Sequence, residues 1–341
     1  MFVANNNAYR VWDIIKMAKV VLTNPKVAPP LVKNEHIVPR FYLNKFANSR
    51  RQIVLYTQGQ APRRKSTKSQ SSERDFFEYT INDRATENRY ENWFQRIETD
   101  AAAIYDAVQS GSRLTKVQEE AWALFLATLF LRSRKVRDQI GPELTKQVES
   151  EIFFGDDQIR EMQHDFLKQG VLVYADDLKA KVSQIKLEMR APAFRHLAGI
   201  EENARMLAAQ IFEKRWFVFE AAPGTAFVTS DCPVQTLNLN FAAKNFTLGS
   251  GFGHPTTAVV LPLSPSRLFL AGPQEMRWKS NVLDENDVAA FNASAVRFAD
   301  KTVYALAESA EVQSLVDREI NQVIFGQNAF VPLKATNAAI G

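Results

Sequence analysis

The side chains in this sequence that could do chemistry are one imidazole, two carboxylates and a set of guanidinium groups. His36 opens the stretch His36-Ile37-Val38-Pro39-Arg40-Phe41-Tyr42-Leu43-Asn44-Lys45-Phe46, Glu98 follows Ile97, and Asp231 sits in Thr229-Ser230-Asp231-Cys232-Pro233-Val234. Imidazole and carboxylate are the ligands of a Mg²⁺, Mn²⁺ or Zn²⁺ ion, and also the two halves of an acid–base pair. Arg40, Arg132 and Arg137 supply planar forks that grip phosphate oxygens in pairs. Together they suit hydrolysis of a phosphodiester. His36 is then the base or a metal ligand, Glu98 and Asp231 are ligands or acid, and an arginine holds the phosphate.

The same residues have a second reading. His36 stands before a helix start and can cap it or satisfy a buried carbonyl. Glu98 can pair with Arg132 or Arg137 as a structural bridge. Asp231, two residues before Pro233, is a turn residue whose carboxylate bonds backbone amides. On this reading the protein is a non-catalytic nucleic-acid-binding or regulatory protein.

Other chemistries are poorly served. No His-x-x-x-His, Cys-x-x-Cys or His-Glu-x-x-His spacing occurs, so a metal site would need ligands from three distant segments. Cys232 is the single cysteine, which excludes an intrachain disulfide and an all-cysteine zinc site. An acid beside it raises its pKa, and a buried thiol fits better than a nucleophile. Ser230 lacks a Gly-x-Ser-x-Gly elbow. There is no phosphate loop, and Gly249-x-Gly251-x-Gly253 is too loose for a dinucleotide fingerprint, so no nucleotide cofactor is expected. His164, His196 and His254 are scattered.

Net charge is mild at +4, but its distribution is not. No acidic residue falls between His36 and Ser72, whereas Arg40, Lys45, Arg50, Arg51, Arg63, Arg64, Lys65 and Lys68 all do. That basic stretch, 40–68, is a candidate nucleic-acid contact. The apolar run Val11–Leu22 is interrupted by Asp13, Lys16 and Lys19, unlike a secretion signal. The apolar run Ala121–Leu131 is too short for a bilayer, which needs about 20 residues. A cytoplasmic protein with no membrane partner is expected.

The elements that must position these side chains follow from periodicity. Val11–Leu22 reads as a short helix, and Pro39 suits the first turn of a helix starting there. Gln52–Tyr56 reads as a strand, and the basic, serine-rich 59–72 as a loop. Asn88–Ser110 is helical by spacing. Thr115 with Gln118 forms a capping box for a helix running to about Ile140, apolar nearly all round and hence the centre of the core. Its exit, Arg132, Arg134, Lys135 and Arg137, complements a helix dipole. Ile152–Lys168, Asp177–Met189 and Asn203–Glu213 are further helices. From Arg215 the period changes to that of strands, at Arg215–Glu220, Ala226–Thr229, Thr257–Pro262, Ser266–Ala271 and Thr302–Ala305. Asp284 caps one later helix and Ala310–Gln322 is the last.

Segregated helices and strands predict an α+β fold. Its first two thirds are mainly helical around a buried central helix, and a small, mostly antiparallel sheet comes from about residue 215 onward. Residues 1–30 read as an N-terminal extension and 31–330 as one α+β domain, or as a helical part 31–213 and a strand-rich part 214–330.

The motifs carry a resemblance. His36, Val38, Pro39, Tyr42, Leu43 and Phe46 fit an early His-x-Val-Pro-x-x-Tyr-Leu-x-x-Phe pattern. Ile97-Glu98, Arg132 with Arg137, Phe227 to Val234, Leu261 to Pro265, and Asn292 fit its later parts. The chain resembles a widespread bacterial family known as a domain of unknown function. The resemblance implies a shared fold unit over about His36–Tyr304 and carries no activity. Cys232 departs from it, where a polar residue is expected. Tyr42, Ser230 and Asn292 join Arg40, Arg132 and Arg137 as candidate substrate-binding residues.

Overall fold

In the computed structural model the described residues are 34–70, 72–74, 80–81, 84–85, 89–139, 156–168, 172–180, 200–240, 245–248, 251–278, 280–323, 329–331 and 338–340. The expected helix Val11–Leu22 and most of Asp177–Met189 lie outside them.

The first strand, β1 (Asn34–His36), leads through Pro39 into a single turn of helix, α1 (Arg40–Leu43), and a 3₁₀ turn at Asn44–Phe46. Pro39 is the N-cap of α1 and is extended, at φ −59° and ψ 136°. A hairpin follows, β2 (Gln52–Thr57) and β3 (Gln60–Ser66), turning at Gly59 with φ +69°. Composition alone made β3 a loop. Its seven residues, five of them polar and all but Pro62 exposed, are held extended by the ladder to β2, a long-range term that local propensity does not contain. A second 3₁₀ turn, Thr67–Ser69, then leads to β4 (Ser72–Arg74), which pairs antiparallel with β1 and sets Ser72 opposite His36. Two short strands pair next, β5 (Thr80–Ile81) and β6 (Arg84–Ala85).

Helices α2 (Arg89–Gln109) and α3 (Lys116–Leu131) form the centre. Both halves of the capping box form at Thr115 and Gln118. From Ala121 onward helix α3 is apolar on nearly every face because every face is covered there. It packs against α2 and α5 (Ile200–Phe212), and Trp122 meets Phe269 of the main sheet edge to face at 5.9 Å. It ends at Leu131, earlier than its pattern suggested. The chain turns at Arg132–Ser133 and resumes helical from 134 to 139. Helix α4 (Asp156–Lys168) lies outside the main core, with a small apolar cluster of its own.

The main sheet is built from β7 (Arg215–Ala221), β9 (Gln235–Asn240), β10 (Asn245–Leu248), β11 (Thr257–Ser264), β12 (Arg267–Gly272), β14 (Val282–Leu283) and β16 (Ala329–Val331). Its order is β14-β7-β12-β11-β9-β10-β16, antiparallel throughout except for β14 beside β7. Every residue of β11 is buried, as befits a central strand covered on both sides. A smaller pair joins β13 (Met276–Trp278) to β17 (Ala338–Ile340).

A second sheet of order β3-β2-β15-β8 joins the early hairpin to β15 (Val303–Ala305) and β8 (Thr229–Ser230). One of its faces, with Val54, Tyr56 and Val303, packs on α6 (Glu285–Phe298) and α7 (Ala310–Glu319). The other face sends Ile53 and Tyr304 into the main core. The fold is therefore α+β, as the segregation of elements predicted. The sheet from residue 215 onward is larger than expected, and the second sheet recruits early strands.

Candidate functional site

Strand pairing and one buried arginine assemble the neighbourhood of His36. Phe94 and Glu98 stand four residues apart on α2 and so share one of its faces. Arg132, at the C-cap of α3, lies against both. Its guanidinium is 5.4 Å from the Phe94 ring, and Nη1 donates to Glu98 Oε1 at 2.6 Å. Its Nε donates to the carbonyl of Ile37 at 2.6 Å, tying α3 to the residue after His36. Arg132 is only 2 % exposed, whereas the Glu98 side chain keeps 26 %. A buried ion pair of this kind holds because carboxylate, carbonyl and ring together replace the lost water.

His36 and Arg40 are half-buried at the same corner. Burial pushes the His36 imidazole below its ordinary value. Glu98 raises it, and the charges of Arg132 and Arg40 lower it further. The ring is neutral near pH 7, with a nitrogen lone pair available. Three nitrogens here, His36 Nε2, Arg40 Nε and Arg132 Nη2, are buried and make no hydrogen bond. Buried donors are nearly always satisfied, so three orphans on neighbouring residues mark unused binding capacity.

Asp231 is not part of this corner. Its carboxylate accepts from the backbone N–H groups of Asp300 at 2.8 Å, Lys301 at 2.8 Å and Thr302 at 3.0 Å. Burial nevertheless lifts its pKa to about 6, with Asp300 adding to the rise while the three amides oppose it. Next to it Lys135, which is buried, donates to the carbonyls of Arg297, Phe298 and Ala299 and caps the end of α6. The dipole served by Lys135 is thus that of α6, not of its own helix. Arg134 pairs with Asp300 at 3.6 Å and Arg137 with Asp138 at 2.8 Å.

The remaining candidates brace the fold. Tyr42 is buried, and its hydroxyl meets Thr229 Oγ1 at 2.6 Å and donates to the carbonyl of Pro262 at 2.7 Å. Ser230 accepts from the Cys232 N–H at 3.1 Å. Asn292 accepts from the Val228 N–H at 2.9 Å and donates to the Ala226 carbonyl at 2.8 Å, reading both polar groups of one extended segment. Cys232 is buried, and burial drives its thiol far above the ordinary range. Asp287, on the first turn of α6, is buried, and burial together with the Asp284 charge raises it to about 6 against the pull of the Asp284 backbone N–H.

The structure therefore brings His36, Arg40, Glu98 and Arg132 together and engages Asp231, Tyr42, Ser230 and Asn292 with other partners, while Arg137 bonds Asp138. Phe94 was missed by sequence reasoning, and Lys135 was assigned to the dipole of its own helix rather than to the end of α6. Phe94 had a signal in its i,i+4 relation to Glu98, whereas the α6 contact of Lys135 had none, because its partners lie 162 to 164 residues away. Among the described residues no group of three or more His, Cys, Asp or Glu side chains could hold a metal ion. No helix among them is long and apolar enough to cross a membrane.

These features define an α+β protein with a polar corner gathered from β1, α1, α2 and the end of α3. The chain belongs to the family described as Protein of unknown function (DUF4238), which it matches over residues 34–309. No curated protein and no solved structure matches it.

Proposed function

We propose that the protein hydrolyses phosphodiester bonds of nucleic acid at the His36 corner. The observation that carries this reading is the set of unpartnered nitrogens on His36, Arg40 and Arg132 beside a partly exposed Glu98. Two guanidinium groups there are suited to the oxygens of one phosphate. A neutral imidazole accepts the proton of the attacking water and returns it to the leaving oxygen. Glu98 fixes Arg132 and keeps 26 % of its side chain exposed. The donor set is two cations, an imidazole and a carboxylate already paired with Arg132. It suits an oxyanion better than a metal ion, and side chains alone carry the step.

Metal analysis of the purified protein, with cleavage of a labelled oligonucleotide in Mg²⁺, Mn²⁺, Zn²⁺ or chelator, tests the reading. Cleavage that His36→Ala abolishes supports it. No cleavage by the wild type in any of these conditions, or cleavage that survives His36→Ala, overturns it. The second reading, a non-catalytic nucleic-acid-binding or regulatory protein, is favoured by the backbone bonds of Asp231, Ser230, Tyr42 and Asn292. It takes over if oligonucleotide is bound and never cut.

A further inference from the structure

We infer that the exposed edge of the β2–β3 hairpin is a track for nucleic-acid backbone, running from the hairpin to the His36 corner. Strand β3 is the outer strand of its sheet, and its seven residues extend ~20 Å. Opposite residues of an antiparallel pair share a face. Arg63 and Lys65 therefore share the face of Leu55 and Ile53, which looks into the main core beside α1. Arg64 shares the face of Val54 and donates to the Leu306 carbonyl at 3.3 Å. Beyond Lys65 the path is fixed. Thr67 donates to Asn44 Oδ1 at 2.7 Å, just past α1, Lys68 follows on the 3₁₀ turn, and β4 then runs alongside β1 with Ser72 opposite His36. The basic strand thus feeds directly into the strand pair that carries the candidate base.

None of Arg50, Arg51, Arg63, Arg64, Lys65 and Lys68 forms an ion pair with a described carboxylate. Cations elsewhere on the described chain are commonly paired, as in Lys45–Asp106, Arg267–Glu220 and Arg297–Glu319. Glu35 and Glu73 stand opposite each other on the β1–β4 pair that the path joins, and Asp317 and Glu308 flank the hairpin itself. Asp317 is bound to the Gly59 N–H at the tip, and Glu308 is near Tyr56. Neither is bonded to a hairpin cation. Arg51 also holds a left-handed backbone, φ 57°, that glycine would adopt without strain. The only aromatic residue between Ala47 and Asp75 is Tyr56, which is buried. With no exposed aromatic side chain on the hairpin, its cations contact phosphates and ignore sequence.

Only the direction of the track rests on the hydrolytic reading; the binding does not. The test is fluorescence anisotropy with a 20-nucleotide single strand in chelator, across a salt series. The wild type, Arg63→Glu/Lys65→Glu/Lys68→Glu, the charge-preserving Arg63→Lys/Lys65→Arg, and Arg160→Glu on α4 are compared. The triple variant should lose at least about tenfold in affinity, and its log–log salt slope should shrink by about 2, the value for three lost phosphate contacts. The other two variants should bind as the wild type does. Circular dichroism confirms that the triple variant is folded. Equal binding by the folded triple variant, or wild-type binding to phosphatidylserine vesicles but not to oligonucleotide, overturns the track. Hairpin-dependent binding with no hydrolysis removes the hydrolytic reading alone. His36-dependent hydrolysis with hairpin-independent binding removes the track alone.

Discussion

The corners around His36 and Asp231 draw on equally polar residues and differ in what those residues have left to give. At Asp231 both carboxylate oxygens are taken by three backbone amides, and Lys135 spends its ammonium on three carbonyls of the adjoining helix end. At His36 the ion pair of Arg132 with Glu98 is made, yet nitrogens on three neighbouring residues have no partner. A saturated carboxylate fixes a turn. An unsaturated cluster carries a desolvation cost that a structural role does not explain.

This contrast separates stability from activity and can be broken in order of effect. Asp231→Ala strands the amides of residues 300–302 and should cost about 3 kcal/mol or more in urea unfolding. A loss below 1 kcal/mol would remove the bracing role. Arg132→Ala breaks a buried pair and should cost about 3–5 kcal/mol, so its loss of activity says nothing about phosphate. His36→Ala is informative there. It should lower cleavage by about 10²-fold or more while moving the unfolding midpoint little. Equal losses of stability and rate would merge the two corners into one structural class.

The pH dependence sharpens the comparison further. The folded imidazole of His36 is held below its ordinary value of 6.5. Its contribution to stability is therefore present above 6.5 and lost as pH falls through the lower folded value. Cleavage should fall along the same acidic limb. Arg40→Gln removes a cation that depresses the ring, so the His36 titration followed by NMR should move to higher pH. An unmoved titration would place Arg40 away from the ring. The smallest effect is expected at Asp287, whose folded value of about 6 exceeds the ordinary 3.8. Its burial costs nothing below the ordinary value and more as pH rises through about 6. Asp287→Asn should thus stabilise by about 1 kcal/mol at pH 8 and not at pH 3.

Much of this was legible in residue order. The capping box at Thr115, the apolar run of α3 from Ala121, the cap at Asp284 and the strand period after Arg215 are local signals, and each element begins where its signal lies, although α3 ends at Leu131 and not near Ile140. The hairpin was half-legible. Alternation marked β2, but β3 has no apolar face and owes its extended form to its neighbour. At the site, the Glu98–Arg132 pair and the turn use of Asp231 were both among the chemical options weighed. Their choice depended on which side chains meet across 34 and 69 residues, which spacing does not encode. The separation of His36 from Asp231 is a tertiary fact of the same kind.

The hydroxyl of Tyr42 has a bearing on how the chain matures. It joins the early motif to Thr229 and Pro262, 187 and 220 residues downstream. On a ribosome adding about 5–20 residues per second, roughly 10–40 s separate synthesis of the tyrosine from that of its last partner. Throughout that interval the amino-terminal helices wait beside an unfinished sheet, with their largest aromatic surfaces uncovered. Nascent chains arrested before residue 262 should therefore be sensitive to protease and held by chaperones, and release should follow the emergence of β11 rather than of α3.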